Sequence, residues 1–217
     1  MYHVLNRGNA RMKIFDDGED YAAFERVLAE TVADVRMRLL AYCLMPNHWH
    51  LLLRPFETGD LGQFVHRLTV RHVRRWHAHR DSAGGGHVYQ GAYKAFIVGT
   101  DAYFLAAARY VERNALRAGL VKRAEDWRWG SLWRWCHPEV NDEAPRLSPW
   151  PVNRPRNWVW RVNQPQNDAE LAALRRSVRR GQPYGRQAWV DRVAKRLNLQ
   201  WTMRPRGRPR KRGRSIE

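Results

Sequence analysis

The chain has 217 residues, enough to bury one sizeable core with room for an appendage but hardly for a second large domain. Lys and Arg number 39 against 21 Asp and Glu, a formal net charge of +18 that attracts polyanions and makes a nucleic acid the first partner to consider. No apolar run approaches the roughly 18 residues that span a bilayer and no signal-peptide pattern opens the chain, while two cysteines, Cys43 and Cys136, supply neither a disulfide framework nor a four-thiolate zinc site.

A cytoplasmic, nucleoid-associated protein is expected, and any metal must be held by His, amide or carboxylate. The 11 tryptophans either fill a core or stack on unpaired bases.

In chain order, Tyr2–Asn6 reads as a short strand ending at Arg7-Gly8-Asn9, a turn-like cluster. The chain begins inside this element, so residues before it are expected to be missing. Tyr21, Phe24, Val27, Leu28, Val32 and Val35 recur at three- and four-residue steps and predict an amphipathic helix over about 20–34. Met37–Leu44 and His48–Leu53, joined by Met45-Pro46-Asn47, predict an antiparallel hairpin. From Leu61 to His79, Phe64, Val65, Leu68, His72 and Trp76 share one face with arginines between them, which predicts a second long helix. The histidines at 66, 72, 77, 79 and 87 are better explained as helix-surface and loop residues than as a metal site.

After Gly84-Gly85-Gly86, Tyr93–Val98 predicts a strand and Ala102–Asn114 a third helix. Asp126–Trp133 predicts a turn and a short helix that close the first unit, residues 1–136. Residues 137–165 carry Pro138, Pro145, Pro149, Pro151, Pro155 and Pro165 and little periodicity, which predicts a linker or irregular arm. Over 166–200, Leu171–Val178 and Trp189–Leu197 predict two short helices. The final stretch, 201–217, is basic at Arg204, Arg206, Arg208, Arg210, Lys211, Arg212 and Arg214, and its Pro and Gly content cannot collapse into a core.

Two features bear chemistry. On a strand, residues two apart face one side, so His48 and His50 project together while Trp49, Leu51 and Leu53 bury behind them. Neutral imidazole nitrogens suit a divalent metal and leave positions for a third ligand and a substrate oxygen; alternatively, the pair simply lines a sheet surface. On the third helix, Tyr110 and Asn114 lie one turn apart, beside the small Ala106 and Ala107. A phenol ionises near pH 10, so as a nucleophile it needs help from a base or metal, and the Asn114 amide oxygen is placed to complete such a site. A packed aromatic is the alternative reading of Tyr110.

Several ordered segments together resemble the REP-associated tyrosine transposases, within the HUH single-tyrosine transposases. They are Tyr2-His3-Val4 with Arg7-Gly8-Asn9; Met45-Pro46-Asn47-His48-Trp49-His50-Leu51-Leu52; Tyr110-Val111-Glu112-Arg113-Asn114 with Arg117-Ala118-Gly119-Leu120-Val121; and Asp126-Trp127-Arg128-Trp129-Gly130-Ser131. Val162-Asn163-Gln164-Pro165, the helix around Leu174-Arg175-Arg176-Ser177 and the basic tail extend the match over nearly the whole chain.

The resemblance implies an α+β fold: an antiparallel, ferredoxin-like sheet flanked by helices, then a small helical arm and a basic tail. It implies Tyr110 as attacking residue and His48, His50 and Asn114 as ligands of a divalent magnesium or manganese ion. The substrate would be single-stranded DNA beside a hairpin, cut and rejoined through a 5′-phosphotyrosine, by a monomer or homodimer. Where many relatives have proline after the asparagine, this chain has Ala115. A basic helix face at Arg67, Arg71, Arg74 and Arg75 is available for phosphate contact. Pro205-Arg206-Gly207-Arg208-Pro209, followed by Arg210 and Lys211, looks like a core for the minor groove of A·T-rich duplex, the alternative being a sequence-blind polyanion clamp. Two rival functions are a domesticated DNA-binding regulator without turnover and an RNA-binding protein.

Overall fold

The computed structural model describes residues 1–140 and 143–204. The tail positions Arg206, Arg208, Arg210 and Lys211 lie outside the described residues.

The first half of the chain runs β1 (Tyr2–Arg7), α1 (Gly18–Asp34), β2 (Met37–Met45), β3 (His48–Pro55), α2 (Asp60–His79) and β4 (Lys94–Ile97). The strands lie in the order β2-β3-β1-β4, with every neighbouring pair antiparallel. This βαββαβ arrangement is the ferredoxin-like fold that the sequence predicts. Local chemistry starts α1 where it does: the Asp17 carboxylate accepts from the backbone N–H groups of Glu19 and Asp20, satisfying two donors that the first turn leaves unpaired.

The period of two along β3 divides the molecule into layers. Trp49, Leu51 and Leu53 join Val4, Tyr42 and Leu44 under α1 and α2, where Phe24, Leu28, Phe64 and Leu68 are buried. Leu52 faces the other way, with Leu40 and Phe96, against α3 (Ala102–Glu112), whose Phe104, Ala107, Ala108 and Val111 close a second core. His48 and His50 share that second face.

The third helix differs from its prediction. It ends at Glu112, and α4 (Asn114–Arg117) begins after Arg113. Turn spacing survives the break, because Arg113 N–H still bonds the Arg109 carbonyl and Arg117 N–H the Arg113 carbonyl. Asn114 therefore remains one turn beyond Tyr110.

A short α5 (Ser131–Cys136) precedes the Pro-rich stretch, which carries more order than its composition suggests. Ser148 N–H and the Trp150 indole N–H bond the Leu39 and Leu40 carbonyls along the outer edge of β2, covering an edge that would otherwise offer unpaired backbone. Within the same stretch α6 (Trp158–Asn163) forms, with Trp158 buried.

Two helices follow, α7 (Asp168–Arg180) and α8 (Gln187–Arg196). The first is longer than predicted because Asn167 caps its start and Gly181, at φ 71°, ends it in the left-handed conformation that glycine tolerates. Next to α8, Tyr184 hydrogen-bonds Ile97 and Gly99 beside β4. Among the described residues, no helix is long and apolar enough to cross a membrane.

Candidate functional site

The site forms where β3, β1 and the end of α3 meet. Antiparallel pairing sets His48 opposite Arg7 and His50 opposite Leu5. The His48 and His50 ring centroids are 5.0 Å apart, and the Tyr110 ring stands edge-on to His50 at 6.0 Å. Tyr110 and Asn114 are buried but for 7% and 6% of their surface. The structure thus brings together all four residues named from the sequence as nucleophile and ligands.

Each imidazole has one nitrogen engaged and one free. His48 Nδ1 lies 2.6 Å from Asn47 Oδ1 and so donates to it, while His50 Nδ1 lies 2.9 Å from His3 Nε2. Neither ring's Nε2 has a hydrogen-bond partner among the described residues. Burial, with Arg7 and Arg117 adding to it, pushes the His48 pKa down to about 4. His50 is driven well below its ordinary value, first by burial and then by the nearby His3 and His48, and His3 falls to about 3 by burial and Arg117. At neutral pH all three rings are uncharged, and His48 and His50 each keep a lone pair on Nε2.

Arg117 is the residue that the sequence reading missed on this face. Its guanidinium lies 4.2 Å from the Tyr110 ring centroid, and its Nη2 donates to Asn114 Oδ1 at 2.6 Å. The Asn114 amide nitrogen is buried without a partner. Arg117 and His3 both lie in segments that the sequence singles out, but only the folded pairing shows what they touch.

A divalent ion fits this donor set. Two neutral imidazoles present free Nε2 atoms, each ring oriented by a bond to its Nδ1, the usual support for a histidine ligand. The Asn114 amide, one turn beyond Tyr110, has its nitrogen unmatched and one oxygen lone pair beyond the bond from Arg117. Among the described residues, no group of three His, Cys, Asp or Glu that could hold a metal comes together.

The helix α3 is held on both sides. Toward the sheet it packs through its alanines and Phe104. Glu112, fully buried and with its pKa raised by that burial, accepts from the Ser131 hydroxyl at 2.8 Å and the Trp158 indole at 2.6 Å. Arg113 donates to the Val162 and Asn163 carbonyls, and Arg109 to those of Gln164 and Pro165.

The basic face of α2 is not part of this constellation, since α2 covers the opposite face of the sheet. Arg71 and Arg75 there pair with Asp34 and Glu30 of α1 at 2.5 and 2.8 Å, and Arg67 and Arg74 are exposed.

Known proteins bear on this geometry. Among solved structures, a REP-associated tyrosine transposase bound to a REP hairpin superposes with a TM-score of 0.50 at 17% identity, covering 69% of this chain and 87% of that one. A putative transposase from Deinococcus radiodurans R1 is 20% identical over 52% of this chain and 88% of its own, with a TM-score of 0.40. No curated protein matches. The family model of IS200-like transposases matches residues 1–114, more than half of the chain and the part that carries His48, His50, Tyr110 and Asn114, so the chain belongs to the IS200-like transposase family.

Proposed function

We propose that this chain cuts and rejoins single-stranded DNA at hairpin-forming repeats, with Tyr110 as nucleophile and His48, His50 and Asn114 as the ligands of a magnesium or manganese ion. The observation that carries the reading is the edge-on approach of Tyr110 to His50, with free imidazole nitrogens and an unmatched amide beside a phenol. A packed tyrosine needs no such neighbours.

When bound, the ion supplies Lewis-acid polarisation of the scissile phosphate and neutralises charge that develops on it. The protein's own residues do the rest. Tyr110 Oη attacks phosphorus, the bond to the 3′ oxygen breaks, and the departing oxygen takes up a proton to leave a 3′ hydroxyl, while the phenol proton passes to solvent. The guanidinium of Arg117, 4.2 Å from the Tyr110 ring centroid, holds the ring in place by a cation–π contact. The 5′-phosphotyrosine conserves the energy of the phosphodiester, so a second 3′ hydroxyl reseals the strand without a nucleotide cofactor. Because α3 is packed against the sheet and gripped by residues 162–165, Tyr110 acts from a fixed position and the phosphate must come to it.

The catalytic unit on this reading is residues 1–136, with 137–165 as connector, 166–200 as a helical arm and 201–217 as a basic tail for duplex DNA. Cleavage then requires a flexible phosphate, which a strand beside a hairpin offers and a continuous duplex does not. A labelled hairpin with single-stranded flanks should be cut in manganese and spared in EDTA, and the same sequence as a full duplex should be spared in both. Full activity in EDTA would overturn the metal assignment.

A further inference from the structure

On the α3 side of the sheet a line of cations runs away from the site. Arg117 and Arg7 flank the histidines, as their effect on His48 records. Arg175 of α7 lies near enough to Arg117 to disfavour its charge. One helical turn on, Arg179 lines a cleft of about 450 Å³ with Leu5, Arg7, Gln90 and Lys94. A second cleft of about 560 Å³ shares Lys94, Val178 and Arg179 and continues past Arg180 to Trp201 and Arg204. Trp201 is 62% exposed, in the last turn described before the basic tail.

Arg7, Lys94, Arg175, Arg179, Arg180 and Arg204 form no ion pair among the described residues, whereas Arg71, Arg75 and Arg80 on the other face all pair with carboxylates. The negative end of the α7 dipole accounts for Arg179 and Arg180 but not for Lys94 or Arg7, which belong to strands. Arg175 and Arg179, four residues apart on α7, repel one another in the free protein, a cost that a bound polyanion reverses. A cationic track beside an exposed aromatic ring suits a single strand, whose phosphates are spaced along the groove and whose bases have free faces. A duplex offers no such face.

We propose that this groove, from Arg7 past Lys94 and Arg179 to Trp201, seats the single-stranded flank of the DNA, with one base stacked on Trp201. The inference rests on the function proposed above, because it is the cleaved strand that leaves the site along the groove. Arg204 lines the far end of the groove.

The test is binding without cleavage, by fluorescence anisotropy with an oligothymidylate of about 20 nucleotides, which has no hairpin to cut. The variant K94E/R179E should bind it at least tenfold more weakly, and the slope of log affinity against log salt should be shallower by about 1.4, or 0.7 for each of two phosphates. W201A should weaken binding about 5- to 150-fold, the range for removing one base–aromatic stack. The charge-matched control R26E/R36E, on α1 and in the turn just before β2 at the far edge of the sheet, should lose less than threefold. Arg26 pairs with Glu143 and Arg36 lies over the Phe56 ring, so thermal melts accompany each variant to establish that it folds. Equal losses in the control and groove variants would overturn the proposal, as would unchanged affinity in K94E/R179E and W201A, or tighter binding of an oligouridylate than of the DNA. Failure here with a Tyr110 adduct still forming would sink the groove alone; a functional groove with no adduct on any hairpin would sink the catalytic reading alone.

Discussion

His3 Nε2 and His50 Nδ1 face each other at 2.9 Å inside the protein, with His3 of β1 completely buried against Tyr110 of α3. Only one proton can sit between the two nitrogens. For His50 to present the lone pair of Nε2, its Nδ1 must carry that proton and donate to His3, which then holds its own proton on Nδ1, an atom that is buried without a partner. His3 thus orients His50 at the cost of an unmet donor. The variant His3→Phe, which keeps a ring beside Phe96 but removes the acceptor, should bind manganese roughly 10- to 100-fold more weakly by electron paramagnetic resonance titration. His3→Gln should recover part of the loss. Unchanged affinity in His3→Phe would assign His3 to packing only.

His72 is one of the buried histidines that set the acid limb of stability. Its Nδ1 lies 2.7 Å from the Tyr89 hydroxyl, which also accepts from the Trp49 indole at 2.9 Å. Burial, with a smaller push from Arg80 against a pull from Asp20, drives its pKa down to about 3. The folded state then binds the proton near pH 3 and the unfolded state near 6.5. Between these values the unfolded chain carries more protons, so stability is full above 6.5 and falls as pH drops toward 3. One such group changes stability by at most about 1.4 kcal/mol per pH unit. Urea unfolding of His72→Phe from pH 7 to 4 should show a slope shallower by up to that amount; a slope equal to the wild type's would contradict the burial account.

Much of this arrangement is legible in the sequence, and the rest is not for a physical reason. The alternation His48-Trp49-His50-Leu51 fixes which side chains share a face because strand geometry is local, and the apolar steps of α1 and α2 are equally local. His3 is different. Its role depends on β1 lying antiparallel beside β3, a pairing between residues 47 positions apart. The six residues of α6 are too few to show a helical period, and Trp158 is buried because Glu112, 46 residues earlier, waits for its indole. The arginines of α2 show the same limit: a basic helix face is visible in sequence, but the carboxylates of α1 that engage Arg71 and Arg75 are not.

The clasp between α3 and the arm predicts a stability effect. Arg113 donates to two carbonyls at the end of α6, and removing hydrogen bonds from a charged donor costs roughly 1–3 kcal/mol. Arg113→Ala should lower the free energy of urea unfolding by that amount and make residues 150–166 more sensitive to protease. Resistance equal to the wild type's would mean that packing of Trp158 alone holds the arm.

The basic tail should add affinity without adding chemistry. Deleting residues 205–217 should make the salt dependence of duplex binding shallower by about 0.9 for each phosphate that the tail no longer neutralises. Cleavage at saturating hairpin should continue at the wild-type rate. A salt slope that does not change would remove the tail from the DNA interface.

The central claim is that Tyr110 becomes covalently joined to DNA. Incubation of the protein with manganese and a panel of labelled hairpins drawn from palindromes near the gene should leave the fragment downstream of the cut attached to protein through its 5′ phosphate, with the upstream fragment free and ending in a 3′ hydroxyl. Peptide mapping should place the adduct on Tyr110, and Tyr110→Phe should form none while binding the same hairpin within a few-fold of the wild type. An adduct on another tyrosine such as Tyr103, or tight binding across the whole panel with no adduct in either manganese or magnesium, would contradict the claim and leave a DNA-binding regulator in its place.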